Sequence, residues 1–208
     1  MIGFFFASLG ALFSVVNPLG AVPVFLAMTT DYTTTHRRST ALLTSMWFFL
    51  ILMSFFLAGT IILNFFGISL NALRIAGGLI IVNSGFGLLN GSFTERRISP
   101  EIEEEGITKQ DISFTPMAMP MLSGPGSISL LIGMYATNEL LLERAVILGA
   151  IFAMAAVVLL ILRFAPLLFR VLGQSGLAAL SRIMGFLTMS IGIQYIIVGI
   201  VSLVQSQL

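Results

Sequence analysis

The sequence predicts an all-α protein: a polytopic membrane bundle of six transmembrane helices, built from two inverted three-helix repeats whose first and fourth helices are broken. Three observations carry this reading. Of 208 residues, 57% are hydrophobic and only 9% are charged, against roughly a quarter charged in soluble domains. The uncharged stretches fall into six runs of membrane-spanning length. The chain also matches itself at an offset of about 107 residues, with proline and glycine in the middle of the first and fourth runs.

Ten basic and nine acidic residues cannot coat a soluble surface, so membrane lipid is the expected solvent and the main partner. A formal net charge of +1 creates no field to gather nucleic acid, and no nucleic-acid partner is expected. The absence of cysteine removes disulfides, thiolate metal sites and cysteine nucleophiles.

A helix needs about 20 mostly apolar residues to cross about 30 Å of hydrocarbon. The first run, 3–28, ends at Asp31; it lacks a basic leader and a small-x-small cleavage site, so it is expected to be retained as a span. The second, 40–65, follows His36-Arg37-Arg38, and the third covers 70–90. The fourth, fifth and sixth cover 114–137, 142–162 and 177–204. The runs are continuous, with none of the alternation of a membrane barrel. The expected organisation is a first repeat at 1–92, a cytoplasmic linker at 93–113 carrying Glu101, Glu103, Glu104 and Glu105, and a second repeat at 114–208.

Eight of the ten basic residues (Arg37, Arg38, Arg96, Arg97, Lys109, Arg163, Arg170 and Arg182) fall on the side reached after spans one, three and five, leaving Arg74 and Arg144 on the other. Cytoplasmic loops carry the basic excess, so both termini are expected on the extracytoplasmic side. Arg74, Arg163, Arg170 and Arg182, near span ends, are expected to snorkel to head groups.

A shift of 107 aligns Arg37 with Arg144 and Pro18 with Pro125, while a shift of 108 aligns Arg74-Ile75-Ala76-Gly77 with Arg182-Ile183-Met184-Gly185. Three spans per copy is an odd number, so the second copy must enter from the opposite face. Gly77-Gly78, Gly85 and Gly87 read as places of close helix contact.

The first span carries Asn17-Pro18-Leu19-Gly20-Ala21-Val22-Pro23 and the fourth Pro120-Met121-Leu122-Ser123-Gly124-Pro125-Gly126-Ser127. At about 1.5 Å per residue each break lies about half a bilayer from the start of its run. Non-helical backbone at that depth is tolerated where it is buried in protein or lines a watery cavity. Each half-helix after a break offers unpaired N–H groups and a partial positive charge, suited to a carboxylate, and each half-helix before it ends in free carbonyls, suited to an ammonium. One cavity could hold a zwitterion. The candidate substrate-binding residues are Asn17, Pro18, Gly20, Ser123, Gly124, Pro125, Gly126 and Ser127, with Asn83 and Ser84 of the third span completing the cavity. Thr188 and Gln194 are weaker candidates.

With Asn17-Pro18-Leu19-Gly20, Pro120-Met121-Leu122-Ser123-Gly124-Pro125-Gly126-Ser127 and Leu73-Arg74-Ile75-Ala76-Gly77-Gly78, the chain resembles the MarC family over essentially its whole length. The resemblance implies a six-span inner-membrane protein of a prokaryote that carries small neutral amino acids such as glycine and alanine, the small-molecule partner expected here. The expected mechanism is alternating access at a midplane site between the two broken helices. The competing readings are a passive ion or small-solute channel and an exporter of other small metabolites. An enzyme is not expected, since all nine acidic residues lie in loops or at span ends and the single histidine lies in a loop. No resident cofactor is expected. The coupling ion, sodium or proton, is left open, as is a homo-oligomer.

Overall fold

The computed structural model describes residues 1–91 and 111–205; most of the expected linker at 93–113 therefore lies outside the described residues. Seven helices occur among them: α1 (Ile2–Val16), α2 (Pro18–Met28), α3 (Thr34–Phe66), α4 (Leu70–Leu89), α5 (Pro125–Thr137), α6 (Leu141–Arg163) and α7 (Ala165–Gln205). An irregularly wound segment, Ser113–Leu122, precedes α5.

Four of these, α3, α4, α6 and α7, are long and apolar enough to cross a membrane. The other two candidates are bent pairs: α1 with α2, bent by 41°, and Ser113–Leu122 with α5, bent by 65°; counting each pair as one span gives up to six. Only 17% to 33% of the most apolar stretch of each of the four long helices is buried in protein. Exposed side chains such as Phe65 (82%), Leu141 (83%) and Phe152 (68%) form a surface that water would not tolerate and lipid does. This is an integral membrane protein.

Local chemistry sets the element ends. Thr33 caps α3, accepting from the His36 N–H at 3.2 Å, and Ser69 caps α4, accepting from the Ala72 N–H at 3.1 Å. Gly67, at φ 65°, closes α3 in the left-handed conformation, with the Ile68 N–H reaching back to the Leu63 carbonyl at 2.9 Å. In each half an arginine ties the second helix to the end of the one before. Arg37 donates Nε to Thr29 Oγ1 at 3.0 Å, and Arg144 donates Nε to the Asn138 carbonyl at 2.8 Å. Outside the spans, burial and then the Asp111 carboxylate raise the Tyr32 phenol above its usual range, and its ring stacks on His36 at 4.1 Å.

The core lies where the bent pairs meet α3 and α6, around Leu12, Phe25, Phe48, Phe56, Leu131 and Ile151. α4 packs chiefly on α7, and glycine makes that contact close. A Cβ on Gly78 would lie 2.7 Å from the Gly192 carbonyl oxygen, and one on Gly192 would lie 2.8 Å from that of Gly78. Gly199 approaches the Asn71 carbonyl in the same way, at 3.1 Å. These pairings run in reverse order along the two helices, so α4 and α7 are antiparallel.

Two expectations need correction. The sixth run, expected over 177–204, is helical from Ala165 and is interrupted at Gly173 (φ 64°, ψ 178°). The half-helix expected before the second break is not regular: Thr115 and Met119 are extended, and the turns close by longer bonds, Met117 N–H to Ile112 carbonyl at 3.3 Å and Ser123 N–H to Ala118 carbonyl at 2.8 Å. Pro116 and Pro120 lack the donors that an ordinary helix needs there. Buried positions of α4, at Arg74, Gly78, Ile81 and Gly85, recur at a spacing of 107 in α7, at Ser181, Gly185, Thr188 and Gly192. Arg182, which aligns with Arg74 at 108, is exposed.

Candidate functional site

The first break is made by two residues. Pro18 disfavours helical backbone at the residue before it, and Asn17 answers with the left-handed conformation, φ 45° and ψ 65°, which asparagine tolerates better than most residues. Its N–H still closes α1 onto the Phe13 carbonyl at 2.9 Å. Pro18 then opens α2 at the first helical position, where a missing N–H leaves nothing unpaired. The Asn17 side chain is 5% exposed, and neither Oδ1 nor Nδ2 has a hydrogen-bond partner among the described residues. A buried amide without a partner is destabilising by about 1 to 3 kcal/mol.

Asn17 lies directly over Gly20, where a Cβ would come 2.5 Å from its Nδ2 and 3.4 Å from Ser181 Oγ. Gly20 in turn lines a cavity of about 170 Å³ with Pro23, Leu88, Gln174, Ser181 and Arg182. A second hollow, of about 450 Å³, shares Pro23 and Gln174 with it and adds Thr30 and Arg37. The polar lining comes from Gln174, Ser181 and Arg182 of α7, from Thr30 just after α2, and from Arg37 of α3.

The second break is built differently. Gly124 precedes α5 in extended conformation and Pro125 opens the helix. Ser127 turns its hydroxyl back to the Gly124 carbonyl at 2.9 Å, while Ser123 is fully buried with its hydroxyl unpartnered among the described residues. Neither α2 nor α5 carries a side-chain cap at its N-terminus, so the first-turn donors are not satisfied by a capping residue. The two breaks approach each other: a Cβ on Gly126 would lie 3.6 Å from Val15 Cγ1, two residues before Asn17, and 3.0 Å from Ile81 Cγ1 of α4.

Asn17, Pro18, Ser123, Gly126 and Ser127 are buried, and Gly20 and Gly124 are half-buried. Pro125 is exposed, Ser84 is half-buried, and Asn83 is exposed on α4, away from the face that Ile81 turns to Gly126. Thr188 ties two helices: its hydroxyl donates to the Ser14 carbonyl at 2.7 Å and pairs with Ser14 Oγ at 3.2 Å. Gln194 is exposed.

Arg74 does not snorkel. It is 8% exposed and gives Nη2 to Thr137 Oγ1 at 2.6 Å, because Thr137 at the end of α5 is within its reach across the bundle. Ser181 and Tyr195 escaped the sequence reading. Ser181 stands in an ordinary polar position of the sixth run, and Tyr195 carries no motif.

A family description, MarC family integral membrane protein, matches residues 2–204. A membrane protein of Buchnera aphidicola from Schizaphis graminum is 40% identical over 203 residues, covering 96% of this chain and 91% of the relative. The membrane protein YhcE of Escherichia coli is 36% identical, covering 91% and 88%. The inner membrane protein MarC of Citrobacter koseri is 35% identical, covering 94% and 93%. No solved structure matches the chain.

Proposed function

The chain belongs to the MarC family of integral membrane proteins, and on that premise we propose that it is an inner-membrane transporter of small neutral amino acids. In this reading each bent pair is one span, six in all, and both termini face away from the cytoplasm.

The packing supports inverted halves. α1 packs on α6 while Ser113–Leu122 packs on α3, and α2 packs on α7 while α5 packs on α4. Reciprocal contacts of this kind are what a two-fold relation between units generates. Antiparallel α4 and α7 support an axis across the helices, in the membrane plane.

The observation that carries the function is Asn17. Its carboxamide is buried and unpartnered beside the uncapped start of α2, one side chain from a cavity that opens past Gly20. Unpaired polar atoms at a helix start are an unfinished site, which a ligand with both a donor and an acceptor completes. A zwitterionic amino acid brings a carboxylate for the N-termini of α2 and α5 and an ammonium for Asn17 Oδ1 and the carbonyls before each break. The close walls at Gly20 and Gly126 favour a small side chain, and about 170 Å³ is comparable with the ~150 Å³ that admits benzene in an engineered cavity.

The test is uptake of a labelled amino acid panel by purified protein in liposomes, with imposed sodium and pH gradients. Saturable uptake of glycine and alanine is expected, and the gradient that accelerates it names the coupling ion. Flux that rises linearly with concentration would support a channel instead, and no flux for any neutral amino acid would overturn the reading.

A further inference from the structure

The cavity between α2, α4 and α7 has counterpart positions in the other half, and two of these carry larger side chains that bridge helices. At the offset of 107, Ser181 corresponds to Arg74 and Leu88 to Tyr195. Arg74 reaches from α4 to Thr137 at the end of α5, at 2.6 Å, and interacts electrostatically with Tyr195. The Tyr195 hydroxyl, from α7, donates to the Ser129 carbonyl of α5 at 3.0 Å. It also fills the space that any side chain on Gly133 would need. Two bridges thus hold α5 against both third helices. On the cavity side Thr30, the counterpart of Thr137, bonds its own helix, at 2.8 Å to the Ala27 carbonyl and 3.2 Å to the Leu26 carbonyl, and lines open space.

Arg74 is an expensive way to fill a hole. Its Nε has no hydrogen-bond partner among the described residues, and a buried cation in a membrane bundle carries a desolvation penalty of several kcal/mol. A leucine would pack there without that penalty, so the charge points to a role that packing does not need.

We propose that Arg74 and Tyr195 form the gate of the half-pathway opposite the cavity. The gate opens when α5 parts from α4 and α7, breaking the Arg74–Thr137 and Tyr195–Ser129 bonds and freeing the guanidinium to meet the carboxylate of a passing substrate. This rests on the transport reading, but its test does not need a substrate.

The chain has no cysteine, so a single reporter can be placed at Leu130, the α5 counterpart of the cavity-lining Pro23. Leu130→Cys protein in sealed vesicles of both orientations is labelled with a membrane-impermeant maleimide. Arg74→Ser and Tyr195→Leu, the residues found at the matched positions, should each raise the labelling rate roughly tenfold or more, and only from the face where α4 begins. Thr137→Val, which removes the acceptor and keeps the shape, guards against a folding defect and should raise labelling from the same face. Unchanged labelling in Thr137→Val and in either gate variant, at an unaltered melting temperature, would overturn the gate, and so would an equal rise from both faces. Glycine uptake by the same vesicles separates the two ideas: one-sided labelling without wild-type uptake keeps the gate and removes the transport reading.

Discussion

Gly85 of α4 and Gly185 of α7 meet backbone to backbone. A Cβ on the first would lie 2.7 Å from the carbonyl oxygen of the second, and a Cβ on the second 2.8 Å from that of the first. With Gly78 and Gly192 in the same relation one heptad away, this seam brings two helices closer than any side chain allows. Close backbone packing of small residues is a main source of helix association in lipid, where no hydrophobic force separates lipid from protein.

Gly85→Ala should therefore destabilise the bundle, since the offending atoms are backbone and cannot step aside. Overpacking of this kind typically costs about 1 to 3 kcal/mol. Thermal unfolding in detergent checks it: the melting temperature should fall, and by more than for Gly10→Ala, where a Cβ meets nothing within 4 Å. Equal melting temperatures for the two variants would contradict the seam.

Gly126→Val should abolish uptake while leaving a folded protein. The first added carbon would sit 3.0 Å from Ile81 Cγ1, a flexible side chain that can yield, so the bundle survives while the space at the second break is lost. Uptake and melting temperature measured on one preparation check this. Normal uptake would mean that the substrate passes elsewhere.

Loss of Arg37 should weaken the tie between α3 and the end of α2. Arg37→Met removes the Nε bond to Thr29, and a hydrogen bond from a charged donor is worth about 1.5 to 3 kcal/mol. The melting temperature should drop, with Arg37→Lys intermediate. No drop would show that the contact is only decorative.

Ser99, in the charged linker, should face the cytoplasm. A Ser99→Cys variant should be labelled by an impermeant reagent in inside-out vesicles and protected in intact cells. Labelling from outside intact cells would reverse the orientation.

The apolar runs and the two breaks were legible because both depend on residue type alone: charge ends a run, and Asn17-Pro18 or Gly124-Pro125 stops a helix whatever surrounds it. What needed the bundle was register and rotation. Arginine identity suggested an offset of 108, while the buried positions across the α4–α7 seam recur at 107. Arg74 looked like a snorkelling residue because its depth could be guessed from sequence while its direction, inward to Thr137, could not. Asn83 belongs to the same class: a polar residue in mid-span that the rotation of α4 turns outward. The helical stretch that begins at Ala165 fell outside the sixth run because Pro166, Arg170 and Gly173 interrupt the apolar sequence there.

The account stands or falls on what completes Asn17 and the two helix starts. The direct measurement is calorimetric titration of the purified protein in detergent with glycine and with glycinamide, which keeps the ammonium and lacks the carboxylate. Glycine should bind, and glycinamide should bind roughly tenfold more weakly or worse, the loss expected when a partly buried helix-terminus contact is removed. Asn17→Leu should weaken glycine as well. Equal affinity for glycine and glycinamide, or glycine binding untouched by Asn17→Leu, would contradict a zwitterion site at the breaks.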